Sequence, residues 1–417
     1  MMWSHLSLSE RIRTKKVVIM RLFLLFLLFP ALVQAETFEW FQTQIENHQM
    51  VEMLESKARA TEAMGKMQGS WGDPVFKIAA NNYPKDTLKN NETPMTGIQY
   101  SVMQKISLST KYGNIERSYE ALAESVQMEK EQRKRLMRAE LWKQAISLRK
   151  IVRDIEVLKE NLDWVESMIT VSKKLYSNGK LAQQGLLEIQ IRKTNIETKI
   201  LEIEFMKKEV ESLLGYLAGV EENKILDLKS VPWTHLQDKL AGENDFEEKR
   251  LEKELEASEL GLKSSKQNYI PDVTIGVAYT KRANIDNKGD FVGASVSFPL
   301  PFSGSKYANH SNAAHMKLTK ERAWRNYKLQ KKSKLSELEF KSQKIEQELS
   351  ILNKKTLNFA KSARDVTSRS YRIGNASYIE LLNAELNLQN YLLKQTELES
   401  KLDGIKIERA LLSGGQI

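Results

Sequence analysis

The chain has 417 residues, 28% of them charged, and a formal net charge of +10 at pH 7. The absence of cysteine excludes disulfide bonds, thiolate metal sites, cysteine nucleophiles and a lipid-modified N-terminal cysteine. Basic residues alternate with acidic ones at helical spacing, which is more typical of a solvated helix face than of a nucleic-acid-binding surface, so we expect no nucleic-acid partner.

Residues 1–35 have the pattern of a secretory signal. A basic stretch from Arg11 to Arg21 precedes an apolar run over 22–29, and the small-residue site Val33-Gln34-Ala35 follows. The apolar run is much shorter than the roughly 20 residues that a membrane-spanning helix requires. We therefore predict a signal peptide that is cleaved after Ala35. Initiation at Met20 would leave a more ordinary signal, and both starts remain open.

A first structural unit is predicted for residues 36–221. After an opening helix, apolar and polar residues alternate in a β-hairpin over 72–109. A long helix over 111–176 follows, with apolar residues every seven positions from Leu141 to Tyr176, as in helices that pack as coiled coils. Such a helix would be on the order of 100 Å long. It ends at Gly179, where glycine can adopt the left-handed conformation, and a return helix is predicted over 180–215.

The same unit recurs after a connector over 222–246, which we expect at the equator of the helical part. Tyr176, Gly179 and Leu186 correspond to Tyr371, Gly374 and Leu381, each 195 residues later. The second unit, 247–417, therefore has a helix, a β-hairpin over 271–301, a long helix over 306–371 and a return helix over 376–412. Its long helix carries a heptad stripe of Leu338, Ile345, Leu352, Phe359 and Val366. We predict an internal duplication.

The strands have the length and alternation of membrane β-strands, which cross a bilayer with roughly 9 to 11 tilted residues. The second hairpin has one apolar face, which we predict contacts membrane lipid. Its members are Val273, Ile275, Val277, Tyr279, Val292, Val296 and Phe298. Four strands cannot close a barrel, and each unpaired backbone group in hydrocarbon costs several kcal/mol. Several chains must therefore share their strands, and three chains would supply twelve.

Five short segments, in this order, resemble the TolC-like family of outer-membrane efflux proteins, nearest to its metal- and cation-efflux branch. They are GIQY at 97–100, PDVTIG at 271–276, VSFPLP at 296–301, YRIG at 371–374 and IELLNA at 379–384. The resemblance covers essentially all of the mature chain. It implies a mixed, mainly α fold, in which a homotrimer forms a twelve-stranded transmembrane β-barrel in the outer membrane of a Gram-negative-type cell. A long α-helical barrel would cross the periplasm.

The resemblance also implies a function and two kinds of site. The protein would be a passive exit duct for substrates, with metal cations as candidates, delivered by an inner-membrane efflux pump through a periplasmic adaptor protein. The adaptor would contact the inner tips, at Tyr176, Ser177, Gly179, Tyr371, Gly374 and Asn375. Glu380 matches the first acidic position of a pore constriction in the family, whereas Asn383 occupies the second, so only half of the acidic pattern is present. On structure alone, ordinary helix caps are the simpler explanation of the tip glycines, and an acid that the helix dipole stabilises would explain Glu380 equally well.

Neither a catalytic residue nor a cofactor or metal site is expected. His310 and His315 are five residues apart, off the i, i+4 spacing that would place two ligands on one helix face, and no phosphate-loop or nucleophile motif occurs. Two other functions stay open. A periplasmic adaptor would have a single helical hairpin between two β-rich halves, and a structural coiled-coil protein would leave the amphipathic strands unexplained.

Overall fold

The computed structural model describes residues 35–237, 244–300, 302–373 and 375–415. The predicted signal peptide, apart from Ala35, lies outside the described residues. So do residues 238–243 of the predicted connector, Pro301 of the second predicted hairpin and the tip residue Gly374.

Helices and strands alternate twice along the described chain. The bounds are α1 Phe38–Glu46, α2 Gln49–Gln68, β1 Val75–Asn81, β2 Gly97–Ser107, α3 Lys111–Ser177, α4 Gln183–Leu217, α5 Phe246–Gln267, β3 Asp272–Arg282, β4 Phe291–Ser297, α6 Gly304–Ile351, α7 Leu357–Arg372 and α8 Tyr378–Ser413. Among the helices described, none combines the length and hydrophobicity that a bilayer crossing requires.

The four strands form one antiparallel sheet in the order β1-β2-β3-β4. The two hairpins meet through β2 and β3, which pair over their full length from Gly97 opposite Arg282 to Ser107 opposite Asp272. Of the strands that the structure describes, β1 and β4 each pair on one side only. Both outer edges of the sheet therefore present unpaired backbone groups in the single chain.

The helices lie side by side in the same order as the strands to which they connect. Next to the sheet, α3 packs between α2 and α5, and α5 packs on α6. Farther from the sheet, α3 packs between α4 and α8, and α8 packs on α7. The long helix α3 therefore belongs to both halves of the helical layer, and each half is four helices wide.

The largest apolar cluster lies where the two halves of the helical layer meet. It includes Phe41 of α1, Leu141 of α3, Leu214 of α4 and Ile407 of α8. The described part of the predicted connector supplies Leu226, Val231 and Leu236 to the same cluster. The connector is anchored there further, because the Arg149 guanidinium stacks 3.9 Å from the centre of the Trp233 ring.

A π-helical turn, Leu352–Thr356, joins α6 to α7 and corrects the predicted heptad stripe. The Leu357 N–H bonds to the carbonyl of Leu352, five residues earlier, and both leucines are buried. Because this turn contains one more residue than an α-helical turn, it rotates the faces of the helix that follows. Phe359 and Val366, expected on the packed stripe, are therefore 72% and 60% exposed.

Candidate functional site

The sheet has an exposed apolar band that crosses all four strands. Val277 of β3 lies opposite Val102 of β2 and Ala294 of β4, and its side chain is 59% exposed. The pairing register places the other members on the same face: Phe76, Ile78, Tyr100, Ile275, Tyr279, Val292 and Val296. All are exposed large apolar residues. An exposed patch of this extent normally marks a surface that an apolar partner covers.

Two of the predicted membrane-facing residues lie at the margin of this band. Val273 is half-buried, unlike the exposed members of the band, and pairs with Ile106 near the end of the sheet that adjoins the helices. Phe298 lies one residue beyond the end of β4, outside the strand to which the sequence pattern assigned it, although its side chain is exposed. The strand ends early because Pro299 cannot donate the hydrogen bond that another ladder pair would need.

The opposite face of the sheet consists mainly of polar and small residues, and ion pairs stabilise it at the end near the helices. The Asp272 carboxylate lies 2.8 Å from Lys111 Nζ and 3.0 Å from Lys105 Nζ, and it accepts a hydrogen bond of 3.0 Å from the Tyr112 hydroxyl. Lys111 and Tyr112 are the first residues of α3. The start of the long helix is therefore held against the beginning of β3.

At the other end of the sheet, Arg282 hydrogen-bonds to the loops of both hairpins, and its side chain is almost fully buried. Its guanidinium donates to the carbonyls of Gly289 and Pro94 and to the Asp286 carboxylate. Because Pro94 belongs to the β1–β2 loop, this contact joins the loops of the two hairpins. The hydrogen bonds from Arg282 also lower the pKa of Asp286.

The first tip is the turn between α3 and α4. Gly179 has a φ of 69°, and its N–H bonds to the Tyr176 carbonyl at 2.9 Å. The Lys180 N–H bonds to Leu175 at 2.8 Å, and the Ser177 hydroxyl donates to Lys174 at 3.0 Å. These bonds satisfy carbonyls that the helix end leaves without partners. Local capping therefore accounts for the glycine, while Tyr176 and Ser177 stay exposed.

The second tip is the turn between α7 and α8. The Asn375 N–H bonds to the carbonyl of Ser370 at 2.9 Å, and Asn375 is exposed. The buried hydroxyl of Tyr371 makes no hydrogen bond within the described part of the chain. The conformation of this turn at Gly374 lies outside the described residues.

The two tips touch each other through a contact that the sequence pattern did not reveal. A Cβ atom at Gly185 would lie 2.8 Å from the ring of Tyr378, so the small residue makes room for the ring. The Tyr378 hydroxyl donates to the Glu188 carboxylate at 3.0 Å. Burial and this hydrogen bond together raise the pKa of Tyr378. In the sequence, Gly185 could have indicated this contact, because a glycine early in a helix often allows another chain segment to approach closely.

The predicted constriction residues, Glu380 and Asn383, are both exposed near the start of α8. Glu380 also has a local role. Its N–H bonds to the Ser377 hydroxyl at 3.2 Å, and its carboxylate accepts the Ser377 N–H at 2.7 Å, which together form a capping box. Three positions apart, Glu380 and Asn383 are neighbours on one face of the helix. Their role at a pore stays a prediction.

No cluster of three or more histidine or acidic side chains that could hold a metal ion occurs in the described ranges. His310 instead lies beside the Ser265 hydroxyl, with its Nδ1 at 3.2 Å, and against the Tyr269 ring. These contacts are those of a packed helix interface.

No family model matches the sequence, and neither does any curated protein. Solved structures do match. The outer membrane protein VceC from Vibrio cholerae has a TM-score of 0.74 at 15% identity, covering 91% of this chain and 96% of that one. CusC, described in terms of transmembrane channel formation, has a TM-score of 0.73 at 12% identity and covers 93% and 96%.

A third similar structure is the CmeC outer membrane channel from Campylobacter jejuni. Its TM-score is 0.71 at 13% identity, and the match covers 91% of this chain and 86% of that one. At such identities the likeness establishes the fold. The predicted mixed, mainly α, TolC-like fold is therefore confirmed.

Proposed function

We propose that the chain is one protomer of a trimeric outer-membrane exit duct and that it is not an enzyme. The observation that carries the proposal is the exposed apolar band, which crosses a sheet with two open edges at one end of a long helical layer. This combination suits a surface that is covered by lipid hydrocarbon. The likeness of the chain's fold to that of solved outer membrane proteins and channels supports the same function.

The open edges of the sheet support the trimer. In hydrocarbon, the unpaired groups of β1 and β4 would have no water to bind, at a cost of several kcal/mol for each group. Pairing of β4 in one copy with β1 in the next would satisfy these groups and leave no edge. Three copies would give a closed barrel of twelve strands.

The helices at the outer edges support the same association. Along α4 the exposed apolar residues are Leu187, Ile191, Leu201, Phe205, Met206, Leu213 and Tyr216. The opposite edge of the helical layer exposes Phe340, Ile351, Phe359 and Val366. In a ring where β4 adjoins the next β1, these two edges also adjoin. Each set of apolar side chains would then be covered by the other.

The tips at the far end of the helices are the proposed partner surface. There a periplasmic adaptor would bind and connect the duct to an inner-membrane efflux pump. Three Glu380 carboxylates near the axis would favour cations, which makes metal cations the candidate cargo. The duct itself would be passive and would use no cofactor.

Cell fractionation tests the proposal and separates it from the alternatives. We expect the protein to stay in the outer membrane after carbonate extraction and to migrate as a trimer on gels without boiling. A periplasmic adaptor or a structural coiled-coil protein would instead lack this membrane-embedded trimer. Recovery of a soluble elongated monomer would refute the duct.

A further inference from the structure

The part of the helical layer that ends in the tips consists of two helical hairpins, α3/α4 and α7/α8, which we call the tip hairpins. Each tip hairpin has its own apolar core. Leu158, Val165, Ile189 and Ile196 form the core of the first. Leu352, Leu357, Ala360, Leu388 and Leu398 form the core of the second, with the π-helical turn inside it. We treat the hairpins as two bodies that meet mainly along α3 and α8. Tyr378 and Leu393 of α8 also pack against the core of the first hairpin.

The contact between these two bodies, which we call the seam, contains buried polar groups. Asn161 of α3 donates from Nδ2 to Oε1 of Glu385 on α8 at 2.9 Å, and both side chains are buried. Farther from the tips, Thr396 of α8 donates its hydroxyl to Asp154 of α3. A hydrogen bond to a carboxyl group depends on the protonation state of that group, whereas apolar packing does not. The seam is therefore more sensitive to pH than either hairpin core.

Glu385 is the group in the seam with the poorest partners for a negative charge. The residue is 7% exposed, and its Oε2 has no hydrogen-bond partner among the described residues. Arg364 of α7 lies 3.8 Å from that oxygen, beyond hydrogen-bonding distance, and also pairs with Asp365. A buried carboxylate with one hydrogen bond is under-solvated, whereas a neutral carboxyl is not.

The other groups around Glu385 do not reverse this preference. Arg192 of α4 is directed to Gln389 and to Asn161 Oδ1, and on α3 Glu160 adds a negative charge. Arg192 and Arg364 lower the pKa of Glu385, but burial acts more strongly, so its pKa is raised. The side-chain nitrogen of Gln389 is likewise without a partner in the described chain, so the seam is incompletely satisfied.

We propose that Glu385 is a proton-operated latch between the two tip hairpins: its neutral carboxyl favours the closed seam, and its carboxylate favours separation of α8 from α3. A group that is harder to ionise in the closed state stabilises that state fully at low pH. This stabilisation is lost as the pH rises through the raised value. The tips should therefore draw together as the pH falls and separate as the pH rises.

Spin labels can measure this movement directly, because the chain contains no cysteine. Cysteines would replace Ser177 and Asn375, one on each tip. The chain with two cysteines would be co-expressed with an excess of the cysteine-free chain, and the purified protein would then be labelled. Most measured distances would then join two labels in one protomer. The distance distribution would be recorded in detergent over a pH series from about 4 to about 9, which begins near the ordinary pKa of glutamate.

We expect the wild-type distribution to shift to longer distances and to broaden at the higher pH. In Glu385→Gln, which keeps the shape but is neutral at every pH, it should stay short and narrow. Glu397→Gln is the matched control, because Glu397 lies on the same helix with its carboxylate paired to Lys394 and Lys401. This control should move as the wild type does.

Arg364→Gln gives a second measurement of the same latch. Because Arg364 favours the carboxylate, its removal should move the midpoint of the transition to higher pH. A wild-type distribution that does not change with pH, or a Glu385→Gln protein that moves as the wild type does, would overturn the latch. Neither result bears on whether the protein is a trimer in the outer membrane, so the proposed function is tested separately.

Discussion

Replacement of Val277 by arginine tests the assignment of the apolar band to lipid. Val277 lies in the middle of β3, between Val102 and Ala294. If this position is near the bilayer midplane, a guanidinium there costs about 2–4 kcal/mol for each chain. That free energy corresponds to a loss of roughly 30- to 900-fold in the folding equilibrium constant. A trimer would carry the change three times, so assembly should be strongly impaired.

The matched control is Ala278→Arg, at nearly the same depth but on the opposite face, where its neighbours are Ser101 and Gly293. Water in the lumen would solvate that arginine, so we expect little loss. Urea titration of protein folded into phospholipid vesicles gives the free energies, and migration on unheated gels gives the trimer fraction. Equal losses in both variants, or none in Val277→Arg, would refute the assignment of this face to lipid.

Three further predictions concern the tips and the helical core. Glu380→Gln should reduce cation selectivity and block by multivalent cations in planar bilayers, since glutamine keeps the N-terminal cap but not the charge; unchanged selectivity would leave Glu380 as a cap only. Cysteine at Ser177 or at Asn375 should crosslink to the adaptor in cells, whereas crosslinking from the loop at Asp286 instead would reverse the proposed orientation. Leu158→Ala should lower the free energy of unfolding by about 2–5 kcal/mol, because Leu158 is fully buried and the smaller side chain leaves a cavity; a loss below about 1 kcal/mol by urea titration would contradict that packing.

The packing of the tips determines which variant is a suitable control for Glu380→Gln. By sequence spacing, Glu385 lies five residues beyond Glu380 and so on another face of α8, which would suggest it as a neutral control for Glu380. The structure buries Glu385 in the seam between α3 and α8. A change there would alter the packing of the tips as well as the charge, so a partly exposed acid outside the seam contacts, such as Glu397, is the better comparison.

Much of the fold could be predicted from the sequence because its signals are local or periodic. Prolines and glycines mark where helices stop, and the alternation in 273–279 indicates a strand with one apolar face. The heptads of α3 predict one long packed helix. The recurrence after 195 residues, as between Tyr176 and Tyr371, predicts two equivalent units. Each of these signals depends on neighbours within a few turns of the chain.

Only the tertiary structure decided the features that depend on distant partners. The π-helical turn after Ile351 leaves the heptad pattern intact in the sequence, yet it turns Phe359 outward, because one extra residue rotates the helix. Glu385 and Tyr378 look like ordinary residues of an exposed helix. Their environments come from Asn161 and Glu188, more than 180 residues earlier in the chain. No local pattern encodes such contacts, since they arise only when the hairpins pack side by side.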